Sequence, residues 1–191
     1  MAKLATYRSY KGPILIMGPR ASGKSAVGRQ LALRLSWSYV SFGSYVRQQA
    51  AACGVEGSLR LEAFGHQLIS ERGAGGPLAD VLGAQKMHVG NVVLDGVRHS
   101  DMLECVERLY GTVVSVYLEV PEQVRYERWL RREALPNSGS SRELFLQLSQ
   151  ARIERRVFEL SRTATHVIDG ARPVAEVISE IMSVSAVEQL Q

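Results

Sequence analysis

Gly18, Gly23, Lys24 and Ser25 stand in the stretch Ile14-Leu-Ile-Met-Gly18-Pro-Arg-Ala-Ser-Gly23-Lys24-Ser25, a glycine, four residues and then Gly-Lys-Ser. The two glycines let the chain turn tightly enough for successive amide N–H groups to face inward, and a helix opening near Gly23 adds its positive end to the same concavity. A polyphosphate suits that cradle. The loop positions Ala21, Ser22, Gly23, Lys24, Ser25 and Ala26 would wrap it, the Lys24 ammonium would reach the outer phosphates, and the Ser25 hydroxyl would suit Mg²⁺, a hard cation that seeks oxygen. The alternative is a glycine-rich turn without a ligand. The apolar run before the loop and the helical pattern after it favour the phosphate loop.

A second group of residues could complete the chemistry. Asp95 closes the apolar run Val92-Val-Leu, and a carboxylate at the carboxyl end of a parallel strand faces the ligand crevice if that strand neighbours the first. It would hold Mg²⁺ with Ser25, directly or through water, or else cap a turn. Arg47, after the second strand, and Arg98, after the third, would enter the same crevice from two sides, where their planar, permanently charged forks suit a phosphate. Arg125, Arg128, Arg131 and Arg132 precede the segment 133–141, and Arg152, Arg155 and Arg156 follow it. They could close over a transferring phosphoryl group. With Glu122, Glu127, Glu133 and Glu154 among them, a solvated ion-paired face is the competing explanation. The stretch Ser41-Phe-Gly-Ser-Tyr-Val-Arg47 contains no acid. A hydroxyl acceptor needs a carboxylate to orient it, whereas a phosphate acceptor needs cations, so the absence leans toward a phosphate ester, with Asp95 still available as a base.

Five β-like runs would position these groups: Ile14 to Met17, Ser38 to Ser41, Asn91 to Asp95, Val113 to Glu119 and Thr165 to Asp169. They alternate with helical patterns, which predicts a doubly wound α/β fold with a parallel sheet and helices on both faces. The first helix, about Gly23 to Leu35, aligns Val27, Leu31 and Leu35; the last, about Pro173 to Val184, aligns Val174, Val177, Ile178, Ile181 and Met182. Between the second and third strands, Ser44 to Val89 far exceeds a simple crossover and predicts an inserted helical arm, with Gly73 to Gly76 as loop or hinge. Glu133 to Ser141 reads as a mobile loop. The resulting plan is one domain over 1–191, with a core of about 12–43, 90–132 and 142–190, an arm of about 44–89 and a short lid of about 133–141.

Composition excludes several classes. The 191 residues are 46% hydrophobic and 22% charged, with no apolar run long enough to span a bilayer and no apolar core for a signal peptide at the start, so a cytoplasmic protein without a membrane partner is expected. Cys53 and Cys105 are expected as reduced thiols, and the four histidines show no ligand spacing. The net charge of +4 comes from scattered arginines without interleaved aromatics, which fits an anionic small molecule and not a nucleic acid.

Together these residues resemble the nucleoside monophosphate kinases, the adenylate and cytidylate kinase group of P-loop proteins, over about residues 13 to 185. The resemblance rests on the phosphate loop, on Val40-Ser-Phe-Gly-Ser-Tyr-Val-Arg47, on Val93-Leu-Asp-Gly-Val-Arg98 and on Val167-Ile-Asp-Gly-Ala-Arg-Pro-Val-Ala-Glu-Val177. It implies a five-stranded P-loop fold and ATP with Mg²⁺ as donor, Gly170, Arg172 and Pro173 lying near the adenine. It also implies acceptor binding by Phe42, Gly43, Arg47, Arg98 and, less closely matched, Arg152, with Arg128 and Arg132 at the lid edge beside Lys24 and Asp95. Phe42 and Ser44 stand where adenylate kinases have threonine and aspartate, and no glutamine follows Arg98 to read adenine, which argues against AMP. Arg125 to Glu133 resembles cytidylate kinases, Asp95-Gly-Val-Arg98 resembles phage deoxynucleotide kinases and dephospho-coenzyme A kinase-like proteins, and the first helix resembles shikimate kinase. The expected activity is γ-phosphoryl transfer to a nucleoside or deoxynucleoside monophosphate. The alternatives are a small-metabolite kinase and a nucleotide-binding regulatory module without a small acceptor.

Overall fold

A computed structural model describes residues 12–83, 91–150 and 152–187. The strands are β1 (Ile14–Met17), β2 (Ser38–Ser41), β3 (Val92–Asp95), β4 (Val114–Glu119) and β5 (His166–Asp169), paired in parallel in the order β2-β3-β1-β4-β5. Central strands covered on both faces must be apolar throughout, and β1 and β3 are buried at every residue. Their side chains alternate between two cores. Leu15, Met17, Val40 and Leu94 face the side packed by the arm and by α5 (Ser100–Tyr110), whereas Ile14, Ile16, Val93 and Val116 face α1 (Lys24–Leu35) and α9 (Val174–Val187). The register sets Ile16 and Ser41 beside Asp95, so the carboxyl ends of β1, β2 and β3 open on one crevice.

The insertion between β2 and β3 is helical: α2 (Phe42–Ala52), α3 (Ser58–Arg72) and α4 (Gly75–Gly83). Residues 84–89, the expected end of the arm, lie outside the described residues. The expected hinge at Gly73 to Gly76 is shorter than the glycines suggest. Only Gly73 and Ala74 form the turn; Gly75, Gly76 and Pro77 open α4, because proline is tolerated in a first turn and burial of Pro77, Leu78 and Val81 holds the segment down.

The segment 133–141 also differs from a nine-residue loop. Glu133 ends α6 (Glu122–Glu133), and Gly139 already begins α7 (Gly139–Gln150), which leads to α8 (Arg152–Glu159). Between them Ala134 adopts a left-handed conformation at φ 53°, and the Ser138 hydroxyl accepts the Ser141 N–H at 3.2 Å as a helix cap. Tyr126 donates to Asn137 Oδ1 at 3.0 Å, pinning the turn to α6. Beneath it Tyr126, Trp129 and Phe145 form a ring cluster with centroids 5.3 to 6.3 Å apart. Phe145 is fully buried, and Phe145→Ala is expected to cost about 3–5 kcal/mol in a denaturant melt. A change under about 1 kcal/mol would mean that the turn does not rest on this cluster.

Candidate active site

The loop after β1 is shaped by backbone that side chains resist. Gly18 has φ 145° and Gly23 φ 91°, and a Cβ on Gly18 would lie 2.9 Å from both the Leu118 carbonyl oxygen and Ser22 Oγ. Any larger residue there would push the loop off the sheet. At Gly23 the helix α1 starts with no side-chain cap and no acid in its first turn. Its amides and its positive dipole end are therefore left for an external anion.

Lys24 opens α1 where this loop ends, buried, with Nζ donating back to the Pro19 carbonyl at 3.1 Å. Burial, then the nearby Arg98, lowers its pKa to about 8 against the attraction of Asp95 and Glu154. The unfolded chain keeps this lysine protonated up to about pH 10.5, so between the two values the folded state binds fewer protons and the Lys24 contribution to stability rises with pH. A phosphate beside Nζ reverses the shift. ATP binding near pH 8.5 is therefore expected to take up protons, visible as a binding heat that varies with the ionisation enthalpy of the buffer; equal heats in all buffers would contradict it.

Ser25 Oγ donates to Asp95 Oδ2 at 2.6 Å, and Tyr39 OH donates to the same oxygen at 2.7 Å. Asp95 is 1% exposed, and its Oδ1 is buried without a partner among the described residues. A hydroxyl and a carboxylate with a spare oxygen form a hard-oxygen set that fits Mg²⁺.

Beyond them opens a cavity of about 530 Å³ between the loop, the carboxyl ends of the strands and the arm. Of the residues expected at a site, Ala21, Lys24, Ser25, Phe42, Gly43, Arg47, Asp95, Arg98 and Arg132 all line it. Its lining also includes the apolar residues Phe42, Val46, Leu61, Ile69, Pro77 and Met102. Arg47 rests on Ser44 Oγ at 3.0 Å, and Arg132 on the rim pairs with Glu133 at 2.8 Å.

Four expected residues fall elsewhere. Arg128 is held to backbone, where Nη1 donates to the Ser22 and Gly170 carbonyls at 3.0 and 2.9 Å and Nη2 to the Ala171 carbonyl at 3.1 Å. It clips the loop to the turn after β5 and does not line the cavity, because those carbonyls occupy its fork. Arg172 pairs with Glu180 on α9 and donates to the Asp169 carbonyl, so its charge points along the helix. Gly170 packs under the loop, its N–H donating to the Glu119 carbonyl at 2.8 Å, and the Pro173 carbonyl accepts from Val177 N–H at the start of α9. The side chain of Arg152 lies outside the described residues.

The structure also brings in residues the motifs do not mark. Arg20, in the loop, reaches Glu62 on α3 at 2.8 Å. Glu154, read above only as part of a charged face, is fully buried; Oε1 takes Arg98 Nη1 at 2.5 Å and Oε2 takes the Arg20 N–H at 2.9 Å. Burial raises the Glu154 pKa, but Arg98, Lys24 and the Arg20 amide outweigh it and hold the carboxyl below the ordinary glutamate range. Its signal in sequence is spacing: Glu154, Val157 and Leu160 form an i, i+3, i+6 stripe, and all three are buried.

No family model matches the chain. It is 30% identical over 131 residues to a cytidylate kinase of Pyrobaculum calidifontis, a match covering 69% of this chain and 66% of that one. The chain thus spans just under two thirds of that relative. It is 27% identical over 184 residues to a shikimate kinase of Nitratidesulfovibrio vulgaris, covering 91% of this chain and 95% of that one. In fold it is similar to a gluconokinase from Sinorhizobium meliloti, with a TM-score of 0.59, 20% identity and 94% of each chain covered. The phosphate loop, the five-stranded parallel sheet and these likenesses together show a P-loop kinase fold, and in sequence the chain is similar to the nucleoside monophosphate kinases.

Proposed function

We propose that the protein is a phosphotransferase that moves the γ-phosphoryl group of ATP to a phosphate-bearing acceptor, in class a nucleoside or deoxynucleoside monophosphate. The observation that carries this reading is the mixed lining of the cavity, in which Arg47, Arg98 and Arg132 stand with the apolar side chains of Phe42, Val46, Leu61, Ile69, Pro77 and Met102. Arginines suit a phosphate, and apolar side chains suit the flat face of a base; a polyhydroxylated acid would leave its hydroxyls unpaired there. Each carboxylate lining the cavity has one oxygen engaged: Glu62 with Arg20, Asp95 with Ser25 and Tyr39, Glu133 with Arg132.

In this reading the loop amides and Lys24 hold the donor phosphates, and Ser25 and Asp95 would hold Mg²⁺. Mg²⁺ bound there supplies charge neutralisation between phosphate oxygens. Arg47 and Arg98 orient the acceptor phosphate for in-line attack, and Arg132 offsets charge at the rim. Arg128 fixes the loop against Gly170 and Ala171, where the adenine would lie. The arm and the turn after α6 exclude water as they close. Catalysis is then positioning plus electrostatics.

One observation favours a second reading, a hydroxyl acceptor. Burial raises the Glu62 pKa despite Arg20, and its Oε1 is buried without a partner among the described residues, so this carboxyl could serve as a base. Coupled ADP release from ATP·Mg²⁺ decides, across ribo- and deoxynucleoside monophosphates, dephospho-coenzyme A, shikimate and gluconate. Stimulation by a monophosphate is the expected result. Stimulation by an alcohol alone would move Glu62 or Asp95 to the role of base, and ATP binding with no transfer would favour a regulatory module.

A further inference from the structure

We propose that Glu154 is a positioning residue that aims Arg98 at the acceptor phosphate and holds the phosphate loop in register with it. The inference rests on the phosphate-acceptor reading above. Its two oxygens divide the task. Oε1 holds the Arg98 guanidinium at 2.5 Å, and Oε2 holds the backbone N–H of Arg20, within the loop, at 2.9 Å. One rigid carboxylate therefore sets the spacing between the donor cradle and the acceptor arginine. It comes from α8, on the far side of the turn after α6, so it also ties both groups to the lid-side helices.

The environment makes a merely structural role a poor fit. Glu154 is 0% exposed and shares its buried stripe with Val157 and Leu160, where a leucine would pack without a desolvation cost. Replacing a buried ion pair by apolar residues is often neutral or stabilising, so the charge is retained for what it orients. Arg98 is the group oriented. A guanidinium carries five N–H donors, and the bond to Glu154 uses Nη1, so the rest of the fork is available to a phosphate in the cavity that Arg98 lines. The Arg20 side chain turns away to Glu62, leaving its backbone N–H as the loop contact of Glu154.

The test uses binding and needs no turnover. Inorganic phosphate is titrated calorimetrically into protein saturated with Mg²⁺ and a non-hydrolysable ATP analogue, for the wild type, Glu154→Gln, Arg98→Met and the double variant. Glu154→Gln is expected to weaken phosphate binding at least tenfold, and to weaken it less than twofold further once Arg98 is methionine. Affinity for the ATP analogue should change less than threefold, because glutamine still offers an oxygen to the Arg20 amide. Unchanged phosphate affinity in Glu154→Gln, or an effect that persists in the Arg98→Met background, overturns the inference while leaving the acceptor reading in place. A wild type that binds the analogue but no phosphate overturns both. If Glu154→Gln does not melt cooperatively, Glu154→Asp keeps the charge but falls one methylene short of spanning both partners; it should weaken phosphate binding in the same direction, and wild-type affinity there would overturn the inference.

Discussion

Lys24→Met is expected to reduce ATP-dependent phosphoryl transfer by about 10³-fold while leaving thermal stability unchanged or slightly raised. The two halves of this result have one cause. The Lys24 ammonium is buried against the phosphate loop, donating to the Pro19 carbonyl, and burial lowers its pKa to about 8. The folded protein therefore bears a desolvation cost for a charge that it does not use until phosphates arrive. Methionine fills similar space without that cost. Transfer, by contrast, loses the cation that would track the phosphoryl group between donor and acceptor. Rate constants from saturating ATP·Mg²⁺ and a thermal melt on the same preparation check both halves. Activity above about a tenth of wild type, or a large fall in melting temperature, would contradict them.

Arg98→Ala is expected to fail in a different way, through both the acceptor and the fold. The acceptor KM should rise about 10²-fold, as for loss of a charge-assisted phosphate contact. Stability should also fall by about 3–5 kcal/mol, because Glu154 is left as a buried carboxylate without its guanidinium. Adding Glu154→Gln should recover part of that loss, since the amide carries no charge to strand. Denaturant melts of the single and double variants measure this directly. No loss of stability in Arg98→Ala would mean that the pair is open to water in solution; an unchanged acceptor KM would remove Arg98 from the acceptor site.

The difference between Lys24 and Arg98 reflects which parts of the site are local in sequence. The phosphate loop is written into one continuous stretch, and the strands end within one residue of their expected limits. Asp95 was legible because a carboxylate at the end of a buried strand has few other places to face. What could not be read lies in contacts across the chain: Arg20 to Glu154 spans 134 residues, Arg98 to Glu154 spans 56 and Arg20 to Glu62 spans 42. No spacing rule reaches so far.

Glycine content misled in the arm, where Gly75 and Gly76 open a helix because the following apolar residues are buried. Serines misled in the segment 133–141, where Ser138 caps a helix. Arginine count misled on α6. Arg128 and Arg132 share a helical spacing, yet one clips backbone carbonyls and the other faces the cavity rim.

In the proposed reaction, phosphate is added to phosphate. The most direct measurement is ³¹P NMR of the product formed from ATP·Mg²⁺ and the acceptor that stimulates ADP release. The expected product is a new phosphoanhydride, seen as mutually coupled resonances from the acceptor phosphorus and the transferred one. A single uncoupled phosphomonoester resonance would show transfer to a hydroxyl and contradict it.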